Sequence, residues 1–316
     1  MIDLSSVLMF LGFAIAAYSV VGNDSIQTLG TFIASNQNVK WYYQWLFAGS
    51  ILVAVILYSY VMFGGDISYG RLAKIPFEET QWFHLAAPLA LLVLTRLGIP
   101  VSTSLLVLSA FTSSVVFSSI LSKSALGYAI AAFVAYGLWY AISTWDNKSN
   151  PVPPKHERYW RIAQWLGTGF LWSTWLAHDV ANISVFLPRE IGPGTLVFIL
   201  LIFVLGLGYM LYRRGGTIQH IVLEKTNTNY LRSATLIDIC YASILLFFVT
   251  LNSIPMSTTW VFLGLLSGRE LAIATRTPDY KLKNVFPIVG KDILRLLFGL
   301  AVSIGIALLV QHFAQG

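Results

Sequence analysis

The chain has 316 residues, of which 56% are hydrophobic and only 11% charged, with a formal net charge of +6. A soluble domain carries about 25% charged residues, so this one could not cover its surface in water, and soluble enzymes and DNA-binding domains are excluded. A single cysteine, Cys240, also excludes an internal disulfide framework or a cysteine metal cage.

In chain order, Leu4–Val21 is uncharged and reads as a membrane helix rather than a cleaved leader. Only Asp3 precedes it, and no small-residue cleavage site follows. The run leads into Asn23-Asp24-Ser25-Ile26-Gln27. Trp45–Gly64 is a second run long enough to span a bilayer. The glycine-rich Gly64–Leu72 segment comes next, within a loop, Asp66–Glu79, of two basic and three acidic residues. His84–Leu97 and Leu105–Leu121 flank Ile99-Pro100-Val101-Ser102-Thr103-Ser104, and Ser124–Thr144 completes this set. Pro151, Pro153 and Pro154 punctuate the polar stretch that follows.

The order then recurs. A helix starting near Trp160 ends in His178-Asp179-Val180-Ala181-Asn182, and Thr195–Tyr212 leads into Gly215-Gly216-Thr217-Ile218, which resembles Gly64-Gly65-Asp66-Ile67. The loop Arg213–Arg232 has four basic residues and one acidic. Ala234–Leu251 and Trp260–Leu266 flank Ile254-Pro255-Met256-Ser257-Thr258-Thr259, and Leu296–Val310 is the last run. Asp24 to Pro100 and Asp179 to Pro255 are both 76 residues, and Gly12 and Gly167 are 155 apart. These matches predict two halves, 1–145 and 159–316, joined by a polar linker, 146–158. Equivalent loops of opposite charge bias predict that the halves are inverted. The expected fold is an all-α polytopic membrane protein. It consists of two inverted-topology repeats whose broken or re-entrant helices meet near the midplane. The basic loops would be cytoplasmic and both termini outside, in a plasma or inner membrane. The positive charge is thus a matter of topology, with no nucleic-acid partner expected.

A helix that begins inside the membrane at Pro-x-Ser-Thr aims free N–H groups and hydroxyls at whatever lies beyond it, which suits an anion. Ser102, Thr103, Ser104, Ser257, Thr258 and Thr259 are the candidates, from two starts that converge. Carboxylates within membrane helices are costly unless paired or bound to a cation. Asp24 and Asp179, with Asn23, Gln27 and Asn182, make an oxygen-rich break suited to a sodium ion or a proton, and His178 is a pH-sensitive neighbour. Sodium would rest on Asp24 and Asp179. Arg96, four residues before Pro100, reads as snorkelling or ion-paired, and Asp238 and His84 as packing or interfacial residues. Hydroxyls both donate and accept, so they can bind the proton that phosphate retains near neutral pH and sulfate lacks. No enzyme motif or cofactor motif is present, and an enzyme is not expected.

The paired Asn-Asp and Pro-x-Ser-Thr elements resemble the inorganic phosphate transporter (PiT) family. Val21-Gly22-Asn23-Asp24 and His178-Asp179-Val180-Ala181-Asn182 match its Gly-Ala-Asn-Asp-Val-Ala-Asn-Ala element in part. Pro100–Ser104 and Pro255–Thr259 match its Pro-Val-Ser-Thr-Thr element well, and Gly64–Leu72 resembles the segment after its second helix. The sequence departs from the family at Leu105 and Trp260, where a histidine is usual, and at Gln27 and His178, where asparagine is usual. The resemblance implies a homodimer with alternating access that takes up phosphate, or a related oxyanion such as sulfate, with sodium or protons. The aspartates would bind the cation and the Ser/Thr helix starts the anion. An anion channel could use the same helix starts.

Overall fold

The computed structural model describes residues 3–73, 75–148, 152–225, 228, 230–251, 256–276 and 282–315. Among these the chain is all helical. The first half contains α1 (Leu4–Ser35), α2 (Trp41–Met62), a 3₁₀ turn at Trp82–Leu85 continuing into α3 (Ala86–Arg96), the short α4 (Thr103–Leu106) and α5 (Ser114–Lys148). The second contains α6 (Pro154–Ser184), α7 (Pro193–Tyr212), the short α8 (Gln219–Leu223), α9 (Leu231–Leu251), α10 (Thr258–Arg276) and α11 (Leu282–Gln315).

Among the described residues six helices are long and apolar enough to cross a membrane: α1, α2, α5, α7, α9 and α11. Their outward residues are large and apolar, such as Phe133 and Leu205, as a lipid-facing surface requires. The 31-residue α6 has the length but carries polar and charged residues, among them His178 and Asp179. The helices take up much of segment 146–158, because Pro154 opens α6 at the position where a helix tolerates proline best.

Chain breaks at Gly98–Val101 and before Thr258 bring two interrupted segments into the interior. Gly98 takes φ +71, a left-handed conformation that glycine adopts without steric cost, and this stops α3. Ser102 caps α4, its side chain accepting from Leu105 N. Pro255, the counterpart of Pro100, lies outside the described residues.

Central α1 packs against α3, α6, α7, α9 and α10. The closest helix pair crosses between the halves: α5 lies on α10, where a Cβ on Gly268 would come 2.0 Å from the Ala132 carbonyl oxygen and one on Gly264 2.4 Å from that of Tyr128. Reciprocally, α11 of the second half packs against α4 and the 3₁₀ turn Leu108–Ala110 of the first. Each half therefore completes its interior with the other's helix.

Candidate functional site

The residues whose spacing repeats within the chain form a single buried cluster around the middle of α1. Asn23, Asp24 and Gln27 lie on consecutive turns and are almost wholly buried. Asp24 Oδ1 accepts from Asn23 Nδ2 at 2.8 Å and Gln27 Nε2 at 3.3 Å, while Oδ2 accepts from the Thr103 hydroxyl. Asn23 Nδ2 also donates to the Val101 carbonyl at 2.8 Å. Gln27 Nε2 reaches the other half, donating to Thr259 Oγ1 at 3.1 Å, and Thr259 Oγ1 donates to the Val101 carbonyl at 3.2 Å. Ser104 Oγ donates to the Met256 carbonyl at 2.8 Å. The two Ser-Thr elements thus touch, and α1 bridges them.

Asp179 on α6 is the second carboxylate. It accepts from Asn182 Nδ2 and lies against Thr258, close enough to Asp24 for the two charges to interact. Tyr241 on α9 braces this start, its hydroxyl donating to the Thr258 carbonyl at 3.0 Å. All twelve residues singled out in the sequence are buried, and nine of them join these contacts: Asn23, Asp24, Gln27, Asp179, Asn182, Thr103, Ser104, Thr258 and Thr259; Ser257 instead donates its backbone N–H to Ser124 Oγ on α5 at 2.9 Å. Ser102 acts as the α4 cap, and Ser257 likewise accepts from Trp260 N at 3.2 Å. His178 instead shares its Nε2 with Arg71 Nη2 at 3.1 Å.

The hydroxyls are not equivalent. Those of Thr103, Ser104 and Thr259 donate their protons to Asp24, Met256 and Val101. Among the described residues Ser102 and Ser257 only accept, so each keeps its O–H proton for another partner. The helix starts differ too. α10 runs 19 residues and presents a full dipole end, whereas α4 has four residues and contributes hydroxyls more than dipole.

Among the described residues several buried acceptor oxygens have no donor: Asn23 Oδ1, Gln27 Oε1, Asp179 Oδ2 and Asn182 Oδ1, with Ser25 Oγ nearby in sequence. Carboxylate and amide oxygens of this kind are the ligands hard cations prefer. A transition metal has no comparable set, because no cluster of three or more His, Cys, Asp or Glu occurs among the described residues.

Arg71 was not found from sequence. It sits in the turn after α2, is 5% exposed, and acts electrostatically on Asp179 as well as contacting His178. Its only signal was a lone cation in the glycine-rich Gly64–Leu72 segment. Asp238 packs as expected but with specific partners, accepting from Thr31 Oγ1 at 2.5 Å and Thr168 Oγ1 at 2.6 Å. His84 is buried and stacks on Phe111 with centroids 4.4 Å apart. Arg96 makes no ion pair among the described residues and donates to the Tyr18 hydroxyl at 3.1 Å. A cavity of about 470 Å³ beside Arg96 reaches inward to Gly22, next to Asn23.

This arrangement of broken helices around a buried polar centre, within helices long and apolar enough to cross a membrane, defines an integral, multi-pass membrane fold. A solved structure described as "The sodium-dependent phosphate transporter" matches with a TM-score of 0.67, over 99% of this chain and 100% of that one, at 16% sequence identity. At that identity the likeness establishes a shared fold across both whole chains. No family model and no curated protein matches the chain.

Proposed function

We propose that this protein is a cation-coupled secondary transporter of inorganic phosphate. The observation that carries this reading is the buried cluster joining both halves, in which carboxylates and undonated amide oxygens adjoin two helix starts with free hydroxyl protons. Opposite charges stabilise each other there: a cation on Asp24 and Asp179 offsets the repulsion their carboxylates would exert on an anion. Full-length likeness to a fold whose solved example is described as a sodium-dependent phosphate transporter supports the same reading and favours sodium over protons.

In this reading Ser102 and Ser257 donate to the anion, Arg71 supplies a guanidinium matched to an oxyanion, and Thr258 is held by Asp179. The cation is bound by Asp24, Asp179, Asn23, Gln27 and Asn182, with His178 holding Arg71 in position. Thr103, Ser104 and Thr259 position these groups rather than contact the anion. Carboxylates and hydroxyls can accept the proton of hydrogen phosphate, which sulfate does not offer. The halves are inverted repeats, the protein works as a dimer in a plasma or inner membrane with both termini outside, and access alternates around the fixed centre.

Uptake of labelled phosphate into proteoliposomes tests this. Accumulation above the equilibrium level is expected under an inward sodium gradient, with arsenate competing and sulfate competing poorly. Uptake that stops at equilibrium would make the protein a channel; sulfate competing better than arsenate would make it a sulfate transporter.

A further inference from the structure

The cavity ending at Gly22 contains two arginines that the central cluster does not use. It lies between the middle of α1, the end of α3 and the second half of α7, and Tyr18, Gly22, Arg96, Tyr209, Arg213 and Gly215 line it. Among the described residues neither arginine is in an ion pair. Arg96 is steadied by a neutral partner, with its guanidinium 5.5 Å from the Tyr18 ring centroid and one N–H on the Tyr18 hydroxyl. That leaves most of its five donors unspent. No Asp or Glu lines the cavity. Unneutralised cations in a cleft with low-dielectric walls raise the local concentration of anions, and a guanidinium fork matches the spacing of oxygens on a tetrahedral oxyanion.

Position gives this cavity a role. Arg213 stands at the end of the membrane-spanning α7, and the floor at Gly22 is one residue from Asn23. The central cluster itself is closed off, with Asn23 and Asp24 at most 1% exposed.

We propose that this cavity is an oxyanion-binding vestibule at the membrane face where α7 ends, in which Arg96 and Arg213 hold a phosphate-type anion between that face and the buried centre. The vestibule rests on the transporter reading for its place on a path, but not for binding itself. Its ligand chemistry, a phosphate group on guanidinium, is met by free inorganic phosphate or by a phospholipid headgroup. An apolar groove at Ala14, Ile15 and Leu92 adjoins Tyr18 and Arg96, so the test must separate these sources.

Full-length protein in nanodiscs of pure phosphatidylcholine is treated with an arginine-specific dicarbonyl, with and without inorganic phosphate, and modification is read by mass spectrometry. Phosphate is expected to protect Arg96 and Arg213 and to leave exposed Arg158 unprotected. Repeating this with phosphatidylglycerol in the discs distinguishes the sources. Protection by the lipid alone, with phosphate adding nothing, overturns the vestibule in favour of a headgroup site. Equal modification under every condition overturns it outright. In proteoliposomes, R96Q and R213Q together should raise the KM for phosphate presented at the face where α7 ends about tenfold at low ionic strength, and far less at high salt, with the maximal rate within about twofold. An unchanged KM at low salt with intact folding also overturns it. Failure of uptake in the unmodified protein, with Arg96 and Arg213 still protected, would retire the transporter reading and leave the vestibule standing.

Discussion

Thr103 gives its hydroxyl proton to Asp24, whereas Ser102, one residue earlier, keeps its own. Neighbouring hydroxyls should therefore respond differently to substitution. Ser102→Ala and Ser257→Ala remove an anion donor and should weaken apparent phosphate affinity by about 1–3 kcal/mol. Ser104→Ala removes a bond between the halves instead. It should lower thermal stability in detergent by about 1 kcal/mol and leave the KM almost unchanged. Equal KM effects from all three would show that hydroxyl-proton partners do not select the anion ligands. At the carboxylates, Asp24→Asn and Asp179→Asn retain volume but lose the charge that balances a cation. Both should abolish gradient-driven accumulation while the protein remains extractable and folded, and normal accumulation in both would reduce these aspartates to structural acceptors.

At the scale of elements, small residues decide where helices approach. The contact of α10 with α5 leaves no space at Gly268, and the obstructing atom is backbone. Gly268→Ala should thus destabilise by about 1–3 kcal/mol or more, measured as loss of monodisperse protein on heating in detergent. A second link ties α8 to α11. Glu224, the residue following α8, accepts from Lys291 at 2.7 Å and Arg295 at 3.2 Å. Burial raises this carboxyl, but those two cations outweigh it and hold it below its ordinary 4.5. With the folded value below the unfolded one, the stabilisation is present above about pH 4.5 and is lost as pH falls through the lowered value. Wild type and Glu224→Gln should differ in thermal stability near neutral pH and converge in acid; a constant gap across that range would assign the effect to packing. Apolar run length made the spanning helices legible in sequence, and repeated polar elements in an apolar setting marked most of the cluster. Arg71 was hidden because it lies 107 residues from His178, in a turn whose equivalent supplies no matching cation. The short α4 was hidden because apolar composition does not register where a helix stops.

The whole molecule is organised around α1, which touches interrupted segments of both halves and carries three residues of the central cluster. Repeated elements in the sequence predict two halves but not how helices from them interlock. Which helix lies on which depends on close approaches such as Gly264 to Tyr128, and these leave no periodic trace. Because α1 bonds to Thr103 on one side and Thr259 on the other, movement of one half relative to the other would disturb the cluster. Gln27→Ala, which cuts the α1 link to Thr259, should loosen the relation between cation and phosphate. The expected result is residual uptake with a weakened dependence on sodium; an unchanged sodium dependence would place that relation elsewhere.

The exchange of α5 and α11 between the halves also bears on how the protein is made. As the chain leaves the ribosome, α5 emerges more than a hundred residues before its partner α10, and α4 waits longer still for α11. The first half cannot finish its interior during its own synthesis, so it must persist in the membrane with the Gly-facing surface of α5 unmatched until α10 is made. A chain truncated after residue 148 should be cleared by quality-control proteolysis. The same fragment, co-expressed with 151–316, should be rescued into a stable complex.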